Sequence, residues 1–548
     1  MDIPSLFMIP SAVSSGKVHS VFPNSTDADF DFNRDSSATR VNSQGLIEEV
    51  GYFGSELVTN GTFDNNLNNW NLAAGGQTIV WENGKVRLTT DGTFASLQQT
   101  ITTVVGKVYR ARVDIDVTSG SNLALNIGGT QVFGNGKRTL EMLFTATGTA
   151  TQFQLKRYSG AVSGTFDNAT FVEVQGDRAR LNYEIEGGLV NTKPSLLLEP
   201  QSTNLITYSE DFSQSAWSKA NSSITSNSVI SPDGSSNADK IVENTANNVH
   251  LLSQGNISVI SGEAYTFSFF AKAGERNEIE VNRLNTSGTV FNGIYQTTVD
   301  LTNGTITEGS NITNSSIENY SNGWFRISIT LTAIANGVGG ITLYLRKNGS
   351  VSYTGDGVSG IYIYGAQAEQ QSYPTSYIPT NGSVQSRANE TCNGAGTSSI
   401  LPSEEGILYA EIAALANDGT TKRISINDDT DENVIQIYHS STVNRIVGRV
   451  AVGNTTQASL VYDSATVTEF NKIAINYKEN DFALWINGIK LATDTSGSTF
   501  SANTLSKLSF NRGDGGNPFY GKVRDIRVYN TKEMTDSEVD ILLTKITS

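Results

Sequence analysis

The chain is 548 residues long and carries 54 acidic against 38 basic side chains, a net charge of −16. That balance lacks the basic footprint of a nucleic-acid or anionic-membrane binder, and no stretch approaches the ~20 apolar residues of a membrane span. One cysteine, Cys392, excludes an intrachain disulfide framework and any zinc site built from several cysteines. Charged residues make up 17%, glycines number 51, and aromatics are plentiful, with 20 Tyr, 23 Phe and 5 Trp. Short β-branched runs alternate with Asn-Gly, Ser-Gly and Asp-Gly turns, which predicts an all-β chain of about three to four domains. The first residues lack the basic start and apolar run of a signal peptide, and a free thiol suits synthesis in a reducing cytoplasm.

In chain order, residues 1–28 carry Pro4, Pro10 and Pro23 and read as an extended arm, with Leu6, Phe7, Met8 and Ile9 as a short apolar patch that needs a partner. Residues 53–175 hold alternating segments around Ile79, Trp81, Val86, Leu88, Tyr109, Val113, Ile115, Phe153 and Phe171. Period two puts one face in a core, so about 120 residues of such strands predict one β-sandwich. Phe63 and Trp70 read as its core anchors. Residues 203–380 repeat that logic, with Asp211, Phe212 and then Trp217, followed by strands around Phe267, Phe325 and Ile363. Residues 381–402, rich in Asn, Gly and Ser, read as a linker. Residues 403–548 predict a third sandwich, with a hairpin turn at Asn487-Gly488.

Several of these phrases resemble known families. The run from Asp29 through Phe32, Arg34, Thr39 and Arg40 to Asn42, with Gly45–Glu48 after it, is similar to the amino-terminal region of tail-associated and fibre-like virion proteins of tailed bacteriophages. Its continuation is at Arg180–Tyr183 and Pro194–Gln201. The opening and closing phrases of 53–175 resemble carbohydrate-binding modules of the jelly-roll type. The ending, from Tyr520 through Asp525 and Tyr529 to Val539, resembles the closing strand and short terminal helix of laminin-G-like, concanavalin-A-like domains, which implies a helix that Thr535 would cap, with Glu538 completing a capping box. These resemblances imply an all-β chain of β-sandwiches in series, jelly-roll and concanavalin-A-like, behind an extended attachment arm. The arm spans 1–52, is completed by 176–202, and is interrupted by the inserted sandwich 53–175. Sandwiches 203–380 and 403–548 follow, separated by the linker 381–402.

On chemistry, the histidines His19, His250 and His439 fall in three different regions, none beside a nucleophile-elbow pattern or at metal-ligand spacing. They read as surface or core residues, and the chain as a non-enzyme. Asp428, Asp429 and Asp431 read first as a solvated turn and second as a calcium site. No other cofactor is indicated. Arg512-Gly513-Asp514 reads as a turn. Sugars offer CH faces to aromatic rings and hydroxyls to polar side chains, so Trp81, Tyr158, Tyr295, Tyr353, Tyr438 and His439, near polar loops, are the ligand candidates. The expected role is a bacteriophage structural protein, a tail or head fibre or surface appendage. It would be made in the host cytoplasm and displayed on the virion. Its amino-terminal region would anchor it to other virion proteins, and its sandwiches would bind host surface glycans, in several copies or as a homo-oligomer. The rival roles are a capsid-decoration or tail protein without receptor contact, and a polysaccharide depolymerase.

Overall fold

The computed structural model describes residues 3–14, 16–51, 54–73, 78–174, 178–287, 289–292 and 296–548. Strands dominate; among the described residues the one α-helix is Asp536–Thr547. The chain divides into two units, 51–176 and the remainder.

In the inserted unit, two five-stranded antiparallel sheets face each other. One runs Thr130–Gly134, Leu123–Ile127, Ala150–Arg157, Ser96–Thr102, Asn71–Ala73; the other runs Lys137–Thr145, Val108–Gly120, Val162–Glu173, Lys85–Thr90, Thr78–Glu82. Val108–Gly120 alternates buried and part-exposed positions over ten residues, as a strand with one face in a core must. Leu97, Leu125, Phe153 and Leu155 from the first sheet meet Val86, Tyr109, Val113, Phe166 and Phe171 from the second. Phe63 and Trp70 pack in the same core, their rings 5.2 Å apart, and the Trp70 indole donates to Asn60 O at 3.0 Å.

The larger unit contains two more sandwiches. In the first, two six-stranded sheets enclose Phe267, Phe269, Ile327 and Ile363 from one side and Ile279, Val281, Ile341 and Leu343 from the other. Phe212 and Trp217 repeat the Phe–Trp arrangement, at 4.9 Å, with the Trp217 indole donating to Tyr208 O at 2.9 Å. In the second, an eight-stranded sheet packs on a five-stranded one through Leu408, Ile473, Ile475, Leu484, Ile526, Ile424, Ile435 and Ile437. The helix buries Val539, Leu542, Leu543 and Ile546 against Ile407, Tyr409, Ala474 and Trp485. Its capping box is formed: Glu538 N–H donates to Thr535 Oγ1, and Thr535 N–H donates to the Glu538 carboxylate at 2.8 Å.

The amino-terminal segment is not a free arm. Leu6–Met8 pairs with the central strand Gly521–Asn530, Leu6 opposite Val528. Ser195–Leu198 pairs with the start of the same strand, Leu196 opposite Val523. Leu6, Met8, Phe30 and Phe32 are buried in the carboxy-terminal core, so the apolar patch finds its partner within the chain. The hairpin formed by Ala38–Val41 and Ile47–Val50 lays Val41 and Ile47 on Phe270, Tyr320, Trp324 and Tyr364, the outer face of the middle sandwich.

Residues 381–402 are likewise not a linker. Gln385–Arg387 pairs with Ser202–Asn204, and Thr391–Asn393 pairs with Phe30–Asn33, Cys392 opposite Phe32. Composition misleads here because strand addition uses backbone N–H and C=O groups, which every residue type except proline supplies in full. Buried ion pairs complete the join. Glu390 accepts Arg34 Nη1 at 2.7 Å and Arg180 Nε at 2.9 Å, while Glu199 lies 2.8 Å from Arg180 Nη2 and 3.1 Å from Arg387 Nη1. Burial alone would raise the Glu199 carboxyl, but Arg387 and Arg180 outweigh it and hold the group at about 2.

Candidate functional site

The outward face of the first sheet in the inserted unit carries an unusual row. Residues opposite each other on antiparallel strands share a face. The register sets Asn71 opposite Gln98, Gln98 opposite Gln154, Gln154 opposite Asn126 and Asn126 opposite Gln131. Five carboxamides thus cross all five strands in one line, which at the spacing of paired strands is about 19 Å long. The next row holds Ala73, Ser96, Lys156, Ala124 and Phe133, and Thr100 and Gln152 pair on the other side. Leu97, Leu125, Phe153 and Leu155 point the opposite way, into the core, so the same strands fix both faces.

Two of the row amides are joined directly, and Asn126 Oδ1 accepts the Gly129 N–H at 3.1 Å. Gln98 Oε1 accepts from Gln152 Nε2 at 2.9 Å and from Gln154 Nε2 at 3.0 Å, and Gln154 also donates to Ser96 Oγ at 3.3 Å. With its oxygen committed twice, Gln98 keeps its NH2 group for an external acceptor. At one end of the rows the Phe133 and Tyr158 rings stack at 3.7 Å and 14°, and both stay open to solvent, 46% and 38% exposed. Tyr158 is held there by its N–H bond to Asn122 O at 2.9 Å. Lys156 is the one ionisable group in these rows; partial burial, then the neighbouring Arg157, lowers its pKa. Gln154, Asn126 and Ser96 are buried, so the groups this face leaves open are Asn71, Gln98 and Gln131, beside the Phe133–Tyr158 platform, with no carboxylate in its rows.

The other sequence candidates are dispersed. Trp81 lies on the edge strand Thr78–Glu82 of the opposite sheet, its indole donating to Phe63 O at 2.6 Å, and does not join the row. Tyr353 is buried, its hydroxyl donating to Glu243 at 2.7 Å and its ring enclosed by Arg276 at 5.5 Å and His250 at 4.8 Å, so it is a packing residue. Arg423 covers the Tyr438 ring at 4.1 Å. His439 is 3% exposed with neither ring nitrogen hydrogen-bonded; burial, then Lys422, pushes its pKa down to about 3. Tyr295 lies outside the described residues.

The acidic turn does not converge. Asp428 accepts from Thr430 and Asn433, Asp429 pairs with Lys507, and Asp431 faces Arg512 at 3.4 Å. Among the described residues no three acidic, histidine or cysteine side chains stand close enough to hold a metal ion. Arg512 pairs with its own Asp514, which closes the Arg-Gly-Asp turn on itself.

Of the residues on this face, the sequence singled out Tyr158 as a ligand candidate and neither Phe133 nor the amide row. Glutamines and asparagines carry no individual signal; only strand register aligns them. A larger hollow, about 710 Å³, lies in the other unit between Arg40, Tyr320, Arg326, Tyr373, Asp418 and Lys522. Several of its charges are already paired, Arg40 with Glu48 and Asp418 with Lys422, so it reads as a seam between sandwiches.

No protein-family model matches the chain, and no curated protein matches it. Among solved structures, similarity extends to a CBM4 module, 17% identical over 21% of this chain and 99% of that one, TM-score 0.19. The CBM22-1–CBM22-2 tandem of Paenibacillus barcinonensis Xyn10C is 10% identical over 59% of this chain and 98% of its own, TM-score 0.20. Domains LG4-5 of the mouse laminin alpha1 chain are 11% identical over 52% of this chain and 86% of their own, TM-score 0.19. Likenesses at these scores bear no functional conclusion, and the β-sandwich description rests on the sheets and cores themselves.

Proposed function

We propose that the inserted sandwich is a non-catalytic binding module for neutral glycan chains, carried by a bacteriophage surface protein. The observation that carries the binding role is the row Asn71, Gln98, Gln154, Asn126, Gln131 beside the stacked Phe133 and Tyr158. Ring stacking would hold sugar CH faces and the amides would read hydroxyl orientation. The virion assignment rests on the resemblance of residues 29–48, 180–183 and 194–201 to phage fibre and tail-associated proteins. On this reading the protein is made in the host cytoplasm, joins other virion proteins, and meets host surface glycans weakly per site and strongly through many copies.

The test is binding of the full-length protein, free and clustered on beads, to host cells and to an array of neutral and acidic glycans. Saturable binding to neutral chains, competed by soluble sugar, is expected. Phe133→Ala with Tyr158→Ala should weaken it about tenfold or more, the scale of losing one aromatic platform. Gln98→Ala should shift selectivity between epimeric sugars. Absence of binding even on beads would leave an architectural role.

A further inference from the structure

Ser14, His19 and Asp29 form a hydrogen-bonded relay that the spread of histidines along the chain does not suggest. Ser14 Oγ lies 2.8 Å from His19 Nε2, and His19 Nδ1 lies 2.8 Å from Asp29 Oδ2. Asp29 is buried, and its second oxygen accepts the Ser20 N–H at 2.9 Å, so the carboxylate is locked in place. A carboxylate only accepts, which puts a proton on Nδ1; in the neutral imidazole Nε2 is then the acceptor for the serine hydroxyl. The hairpin of Val13–Ser14 and Lys17–Val18 positions Ser14, and His19 N–H bonds to Ala12 O at 3.1 Å, returning the histidine to the same hairpin.

A histidine that merely braces a fold looks different in this protein. His250 is fully buried, and both its nitrogens face backbone carbonyls, Asn221 O at 2.7 Å and Tyr353 O at 3.2 Å. His19 is part-exposed, spans a buried acid and an exposed hydroxyl, and borders a hollow of about 540 Å³. A brace gains little from holding an exposed serine, whereas a nucleophile must be both held and reachable.

We propose that Ser14 is a nucleophile activated by His19 and oriented through Asp29, and that the site hydrolyses esters of short acyl groups on polar alcohols. Ser14 is exposed and does not line the hollow, which lies on the His19 side of the relay; Ser11, Asn24, Ser25 and Thr26 make its wall polar beside Ala12 and Val21, so it suits the polar alcohol portion of an ester. Asn24 in that wall offers a neutral amide to the alcohol portion of the ester. In the first half-reaction Ser14 Oγ bonds the acyl carbon and passes its proton to His19 Nε2. The carbon–oxygen bond to the alcohol breaks, and the alcohol leaves with that proton. Water then adds to the acyl-serine through the same base, the acyl–Oγ bond breaks, the carboxylic acid departs and Ser14 is reprotonated. The sum is ester plus water giving acid plus alcohol. This activity is independent of the amide-row module.

The test uses the full-length protein with p-nitrophenyl acetate and a fluorophosphonate probe, with adducts mapped by mass spectrometry. The expected result is a label on Ser14 and turnover above that of free imidazole at equal concentration. Ser14→Ala, which removes one exposed hydroxyl and leaves folding unaffected, should return the rate to that background. His19→Gln should lower it about 100-fold, within the range for losing a general base. Turnover unchanged in Ser14→Ala, or no adduct on Ser14, would overturn the proposal.

Discussion

Arg34, Arg180 and Arg387 are sealed against Glu199 and Glu390 with almost no solvent contact. Replacing one member of such a group leaves an uncompensated buried charge, which costs about 3–5 kcal/mol. Glu390→Gln is therefore expected to destabilise the larger unit by that amount in chemical denaturation, while an exposed control such as Glu533→Gln changes little. Acid acts through the same residues and through His439. The Glu199 carboxyl sits at about 2 against an ordinary 4.5, so its contribution is complete above pH 4.5 and disappears as pH falls toward 2. His439 is held near 3 against an ordinary 6.5, so unfolding takes up a proton between those values and stability declines from pH 6.5 down to 3. Thermal melts across pH 3–7 should show the decline, and His439→Leu should flatten its upper part, between pH 6.5 and 4.5, where Glu199 does not titrate.

Strands joined far along the sequence decide how the larger unit holds together. Gly521–Asn530 accepts two segments end to end on one edge, Ser195–Leu198 and Leu6–Met8, and Gly406–Ala414 on the other. Leu6→Ala should lower the unfolding free energy of the carboxy-terminal sandwich by about 2–5 kcal/mol, the range for truncating a buried leucine, although the two lie at opposite ends of the chain. If that sandwich melted unchanged, the strand would be an accessory. The helix Asp536–Thr547 was legible from the resemblance of the chain's ending and from the Thr535–Glu538 cap, the latter a local signal; Val539, Leu542, Leu543 and Ile546 are the face it buries. Thr535→Ala should cost about 1 kcal/mol, read as earlier loss of the helical signal on heating. The segment 381–402 was not legible, since its strands are short and its buried members, Arg387 and Glu390, are charged residues that ordinarily face water.

At the scale of the molecule, the inserted unit has a core made wholly of its own residues, from Val58 to Phe171. Residues 54–174 expressed alone should unfold in one cooperative transition and keep the glycan selectivity of the whole chain; loss of that selectivity would place the binding face elsewhere. By itself the sequence determined the class of fold: period-two alternation around Tyr109, Val113 and Ile115, turn residues between strands, and the Phe63–Trp70 and Phe212–Trp217 anchors are all short-range signals. Only the tertiary structure decided which side chains act together. The amide row from Asn71 to Gln131, the Ser14–His19–Asp29 relay and the Arg–Glu seam each depend on strand register or on chain segments brought together by folding. Register and the burial of charge are set by non-local hydrogen bonding and packing, which leave no periodic trace in the residues they unite.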